Sequence, residues 1–260
     1  MPPSTNANQL RLRVFAGPNG SGKSTVIKAV KDFQSGGRTI DFGHYINADD
    51  IAVLLHKNRF SFSSFGVKTD KAELLAFASE SGLLNPDFDE KTLAASFSIE
   101  RQKLKVIDSK HNVRLAQLLA RFLRQWMLDH RKRFSFETVF SHPSNLDIMK
   151  DAVAAGYKVY LYFVATESPE INVFRVAYRV TQKGHDVPED KIRERYYRSL
   201  SLLHEAAAIS YQAFFFDNSN NETPFRLVAH FKKKTSGKKE WDKGLGKTSI
   251  WFKKYYGKKD

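Results

Sequence analysis

Gly17-Pro18-Asn19-Gly20-Ser21-Gly22-Lys23-Ser24, with Thr25 behind it, fills every fixed position of the pattern G-x-x-x-x-G-K-[ST]. Such a run constrains the fold strongly, because it works only between a strand that leads in and a helix that leads out. Leu12-Arg13-Val14-Phe15-Ala16 reads as a short buried strand and Thr25-Val26-Ile27-Lys28-Ala29-Val30 as a helix. In that setting glycines let backbone N–H groups close around phosphates, while the lysine and the hydroxyl serve the outer phosphates and Mg2+. The expectation is a nucleoside triphosphate site lined by Gly17, Pro18, Asn19, Gly20, Ser21, Gly22, Lys23, Ser24 and Thr25. The bland alternative is a glycine-rich turn with a chance lysine.

A chain of 260 residues, 42% of them hydrophobic, can bury one good core, and we read residues 1–260 as a single domain. Cysteine is absent, which removes disulfides and thiolate metal sites and suits a reducing compartment. Met1-Pro2-Pro3-Ser4-Thr5-Asn6 has no apolar signal core, and no run approaches the length of a membrane span. A cytoplasmic protein without membrane contact is expected.

The formal charge of +14 raises the question of nucleic acid. Most of the excess sits in residues 221–260, where twelve Lys/Arg face four Asp/Glu. Lys232-Lys233-Lys234, Lys238-Lys239, Lys253-Lys254 and Lys258-Lys259 read as a solvated basic extension, since a charge run is usually a wet surface. The remaining positive charge fits a site for anionic substrates.

Along the chain, Ser35-Gly36-Gly37 marks a turn. A strand then ends at Asn47 and a helix opens at Asp49. The acids Asp49 and Asp50 suit a helix cap. They suit equally a carboxylate facing phosphates beyond the carboxyl end of the sheet. Residues 60–108 read as an insertion with short helices at Glu73–Phe77 and Glu90–Phe97 and a turn at Asn85-Pro86-Asp87. Val113–His130 carries an apolar stripe at helical spacing, with Arg114, Arg121 and Arg124 largely away from it.

Arg133–Ser141 reads as the third strand, and Glu137 near its end suits a Mg2+-linked site or a structural pair with an arginine. A helix from Ser144 ends near Gly156, and Tyr157–Ala165 is the near-continuous apolar run of a parallel strand covered on both faces. Ser168-Pro169-Glu170 opens a helix that runs to Gly184, and Pro188 opens another through Arg193, Arg195 and Arg198. Two arginine-bearing helices joined by a short Gly/Pro loop suit a lid over phosphates. Ala213–Ser219 is the last core strand and Phe225–Phe231 an added one. The alternation makes this an α/β protein with a mostly parallel sheet flanked by helices.

Taken together and in order, Ala16–Thr25, Ile46-Asn47-Ala48-Asp49, Phe134-Ser135-Phe136-Glu137-Thr138, Arg175–Val180, Gly184-His185-Asp186-Val187-Pro188 and Asp217-Asn218-Ser219 resemble the zeta toxin family of small P-loop kinases. The resemblance spans about Leu10 to Ser219. It implies a P-loop NTPase fold of the nucleoside-monophosphate-kinase type, here with a helical insertion and a basic C-terminal extension. It also implies ATP and Mg2+, phosphorylation of a sugar hydroxyl of UDP-N-acetylglucosamine, and an antitoxin partner. Residue by residue, Lys23 matches the holder of the β- and γ-phosphates and Ser24 the Mg2+ ligand. Asp49 matches the aspartate that takes the hydroxyl proton, and Glu137 the acid near substrate and metal. Metal contacts thus fall to Ser24, Asp49 and Glu137. Arg179 matches a phosphate-clamping arginine. His185 stands where a second one is expected, so Arg195 or Arg198 is the substitute. The insertion at residues 60–108 lies where the second substrate would bind and departs from the family pattern. Two rival readings are a polynucleotide kinase gripping nucleic acid through the tail and an ATP-dependent switch without catalysis.

Overall fold

The computed structural model describes residues 9–35, 37–182, 184, 186–222, 225–242 and 248–257. Met1–Asn6, Gly36, His185 and Lys258-Lys259, all used in the sequence reading, lie outside the described residues. By contacts the chain forms two compact units, one comprising the described residues up to Gly43 and from Glu137 onward, the other His44–Phe136.

The first unit opens with β1 (Arg11–Ala16), which runs into the phosphate loop, and α1 (Lys23–Asp32), which leaves it. A two-residue pair, β2 (Gln34–Ser35) and β3 (Arg38–Thr39), follows.

The second unit begins with β4 (His44–Ile46) and α2 (Ala48–His56), continues through α3 (Lys71–Glu80) and α4 (Glu90–Ser96), and adds a hairpin of β5 (Phe97–Glu100) and β6 (Lys103–Val106). The insertion therefore holds a hairpin besides the expected helices. Helix α5 (Asn112–Asp129) then packs along α2 and leads to β7 (Phe134–Thr138), which pairs in parallel with β4 so that Ile46 lies level with Phe136. The stripe expected on α5 is the core of this unit: Leu115, Leu118, Leu119, Phe122, Leu123 and Met127 are buried.

Back in the first unit come α6 (Ser144–Ala154), β8 (Lys158–Ala165), α7 (Pro169–Thr181), α8 (Glu189–Ser201), α9 (Leu203–Ile209) and β9 (Gln212–Asp217). The strands β1, β8 and β9 pair in parallel, and β8 is buried along most of its length, as its unbroken apolar sequence requires. Their register stacks one aromatic ladder across the sheet, with Tyr162 4.7 Å from Phe15 and 4.9 Å from Phe214. Two antiparallel strands, β10 (Arg226–Lys233) and β11 (Lys239–Trp241), extend the sheet beyond β9.

The basic C-terminal stretch is not simply solvated. Helix α10 (Ile250–Tyr255) buries Trp251 and Phe252, and Tyr256 behind it is buried too. Phe252 and Tyr256 stand 4.8 and 5.2 Å from Phe215 on β9. The lysines of the run decorate a segment whose aromatic residues belong to the core, which a count of charges does not register. Among the described residues no helix is long and apolar enough to cross a membrane.

Candidate functional site

Between β1 and α1 the backbone closes into a cradle whose glycines are forced. Gly17 (φ 147°) could carry no Cβ, because it would sit 2.0 Å from the carbonyl oxygen of Val164. At Gly22 (φ 90°) a Cβ would fall 2.0 Å from Nδ2 of Asn218. Gly22 also occupies the cap position of α1 without any side-chain capping bond, so the first N–H groups of that helix keep their capacity for an anion. The Ser21 hydroxyl is buried in the loop with no hydrogen-bond partner among the described residues. A cradle of backbone donors with an orphaned hydroxyl and an adjacent ammonium has the donor set that a triphosphate needs.

Lys23 is the first residue of α1 and is buried. Its Nζ donates to the carbonyls of Gly17 at 2.9 Å and Pro18 at 3.1 Å, folding the side chain back over its own loop. Nζ also lies 3.9 Å from Oε1 of Glu137, at the end of β7. The structure thus brings these two predicted residues together. The turn after Glu137 is held by Thr138, whose hydroxyl donates to Oδ1 of Asn145 at 3.1 Å and accepts from the N–H of Phe140 at 3.1 Å. Phe140 is buried with φ 59°, a conformation that a bulky side chain adopts only when its surroundings impose it. Ser24 and Thr25 are exposed on the first turn of α1.

Two asparagines complete the cradle, and the sequence reading gave neither a role. Asn218, after β9, donates from Nδ2 to the carbonyl of Ser21 at 2.8 Å. Asn172, buried on α7, donates from Nδ2 to the carbonyl of Asn19 and accepts from the Thr166 hydroxyl. Arg175, one turn from Asn172, donates to the carbonyl of Asn218 and to Oδ1 of Asn221, each at 2.6 Å. Burial lowers the Arg175 pKa, and the nearby Asp217 charge partly restores it. The available signal was Asn172 itself, a polar residue four positions before buried Val176 on the inner face of a helix.

Asp217 ties this corner to the C-terminal segment. It accepts from the N–H of Ser219 at 2.8 Å and from the hydroxyl of Ser249, while Oε1 and Oε2 of Glu167 accept from the N–H groups of Ile250 and Trp251 at 2.9 and 3.0 Å. The start of α10 is therefore capped from the loop after β8.

Asp49 belongs to the other unit. The cap of α2 is Asn47, whose Oδ1 accepts from the N–H of Asp49 at 2.9 Å. Asn47 rather than Asp49 is therefore the cap, while Asp49 keeps the other structural role expected of it, an acid in the first turn at the positive end of the helix. Its carboxylate is exposed and has no hydrogen bond or ion pair among the described residues. That leaves it available to accept a proton.

Arg179 is exposed in the last turn of α7. Arg198 is held on α8 by Glu194 at 2.9 Å, whereas Arg195 has no such partner among the described residues. Arg193 bridges α8 and α7 through Glu170 at 2.5 Å and also binds Glu189 at 2.9 Å. Ser168 stands at the cap position of α7 without making the expected capping bond, and its hydroxyl serves the Glu170 carboxylate instead.

The zeta toxin family model matches residues 99–222, a span that includes Glu137, Arg179 and Asn218. An uncharacterized protein of Haemophilus influenzae is 30% identical over 118 residues, covering 41% of this chain and 84% of its own length. Among solved structures, AvrRxo1-ORF1:AvrRxo1-ORF2 with sulphate ions has a TM-score of 0.54 at 14% identity, over 89% of this chain and 60% of that one. The AvrRxo1-ORF1:-ORF2 structure with ATP has a TM-score of 0.51 at 13% identity over the same shares, 89% and 60%. The chain thus spans less than two thirds of those solved chains, and at such identity the likeness is one of fold. With the mixed sheet, the phosphate cradle and the family match in hand, the chain belongs to the zeta toxin family.

Proposed function

We propose that this protein is an ATP-dependent kinase acting on the hydroxyl of a small molecule, with a UDP-activated sugar such as UDP-N-acetylglucosamine as the acceptor. The observation that carries the reading is the Lys23 ammonium, held on the Gly17 and Pro18 carbonyls in a loop of forced glycines, 3.9 Å from the Glu137 carboxylate. The solved ATP complex of an AvrRxo1 protein of the same fold supports it.

In this proposal bound ATP with Mg2+ supplies the transferable phosphoryl group and neutralises its charge. The loop N–H groups and Lys23 hold the phosphates, and Ser24 and Glu137 hold the metal, with Asp49 as a further ligand candidate. Asp49 accepts the proton of the acceptor hydroxyl. Arg179 and, of the two α8 candidates, Arg195 bring positive charge to the transferring group, because Arg198 is already paired with Glu194. Asn172 and Asn218 fix the loop carbonyls and so keep its N–H groups turned inward. An antitoxin partner belongs to the same reading and rests on the family match.

The test is incubation with ATP, Mg2+ and a panel of UDP-sugars and oligonucleotides, followed by mass spectrometry. Phosphate added to a UDP-sugar is the expected result. Phosphate on an oligonucleotide end, or on nothing in the panel, would overturn the acceptor assignment.

A further inference from the structure

Arg124 does not stand on the outer face of α5, where the helical pattern of the sequence puts it. Its guanidinium lies 4.8 Å over the ring of Phe136, a fully buried residue of β7. Nε donates to the carbonyl of Ala120, one turn back, at 3.1 Å. The side chain is thereby pinned along the helix with the rest of its donor fork unused. The side chain is half-buried, and neither Nη atom has a hydrogen bond among the described residues. Among the described residues no carboxylate pairs with Arg124 or with Arg121, three residues earlier.

An enclosed cation without an acid is costly where a methionine or leucine would pack as well against a phenylalanine. Burial, reinforced by the Arg121 charge, pulls the Arg124 pKa down to about 10, which still leaves the group charged at neutral pH. Its place matters because Phe136 is level with Ile46, the last residue of β4, and lies two residues before the end of β7. The next residue after Ile46 caps α2, the helix that carries Asp49 and packs along α5.

We propose that Arg124, with Arg121 as a second positive charge, binds a phosphate group of the acceptor substrate on the unit that carries Asp49. This rests on the kinase reading above and assigns the acceptor an anionic handle apart from the hydroxyl that reacts. A planar fork with free N–H groups suits a phosphate through two parallel hydrogen bonds, which a lysine cannot reproduce.

The experiment uses the full chain saturated with a non-hydrolysable ATP analogue, so that the phosphate loop is filled, and titrates it with pyrophosphate. Uptake of a single pyrophosphate is expected. Arg124→Met should weaken it by about tenfold or more while leaving analogue affinity unchanged, the loss of one charge-assisted contact. Arg124→Lys, which keeps the charge without the fork, and Arg121→Gln should each weaken it by less, and they decide the matter if the methionine variant does not fold. No pyrophosphate uptake by the analogue-loaded chain, or uptake unchanged in these variants, would overturn the proposal. Failure of the analogue itself to bind would instead strike the kinase reading, and the wild-type and Arg124→Met comparison without analogue would still decide this one.

Discussion

Asn218 and Gly22 share one space: the side-chain nitrogen that holds the Ser21 carbonyl at 2.8 Å lies 2.0 Å from where a Cβ on Gly22 would be. The phosphate loop is thus shaped by a residue nearly two hundred positions away in the chain. Asn218→Ala should leave the buried Ser21 carbonyl without its donor, a loss of about 1–3 kcal/mol. Gly22→Ala should be worse for ATP affinity, since it pushes Asn218 aside and also forces alanine into a left-handed conformation. Calorimetric titration with ATP, alongside thermal unfolding of each variant, checks both expectations.

A pH response follows from the link between α7 and α8. The Ser168 hydroxyl first, and Arg193 second, hold the Glu170 carboxyl down to about 2 from an ordinary 4.5. Because the folded value lies below the unfolded one, the stabilisation is fully present above about pH 4.5 and is lost as pH falls toward about 2. The pair is solvent-exposed, so its share is small and weakened by salt. Glu170→Gln should flatten the dependence of the thermal midpoint on pH in that window. A wild-type profile retained by the variant would assign the dependence to other carboxylates.

Much of this fold is readable from the chain because local pattern and tertiary role agree. The unbroken apolar run of β8, the stripe of α5 and the Gly/Pro break between α7 and α8 each mark what forms there. The β5–β6 hairpin gave no such sign. Its turn residues Arg101 and Gln102 are left-handed (φ 49° and 66°), where glycine or asparagine would be the readable signal. Gln102 compensates through its side chain, which accepts from the N–H of Thr69 at 2.9 Å and donates to its carbonyl at 3.0 Å. In the candidate site, Lys23 and Glu137 could be named from motif and strand end, and the structure brings them within 3.9 Å. The contacts that Asn172 and Asn218 make with the loop, and that Arg124 makes on α5, could not, because they depend on partners that only the folded chain supplies.

The C-terminal segment should matter for stability despite its charge. Trp251 is 2% exposed and packs 6.1 Å from Phe163 on β8. Trp251→Ala is expected to cost about 3–5 kcal/mol, as large core truncations do. Trp251→Phe should cost less, because the indole N–H it removes is buried and without a partner among the described residues. Urea unfolding of the two variants measures the difference. Equal and small losses would mean that the segment is not part of the core.

In the proposed kinase reading the chemistry turns on Asp49, whose carboxylate stands exposed and unpaired among the described residues while Asn47 caps its helix. The most direct measurement is single-turnover transfer of labelled phosphate from ATP to the acceptor by wild type and Asp49→Asn, with ATP affinity measured on the same samples. The kinase account predicts a fall in transfer rate of about a hundredfold or more with ATP affinity unchanged, since a general base contributes on that scale. Transfer by Asp49→Asn at the wild-type rate would contradict it.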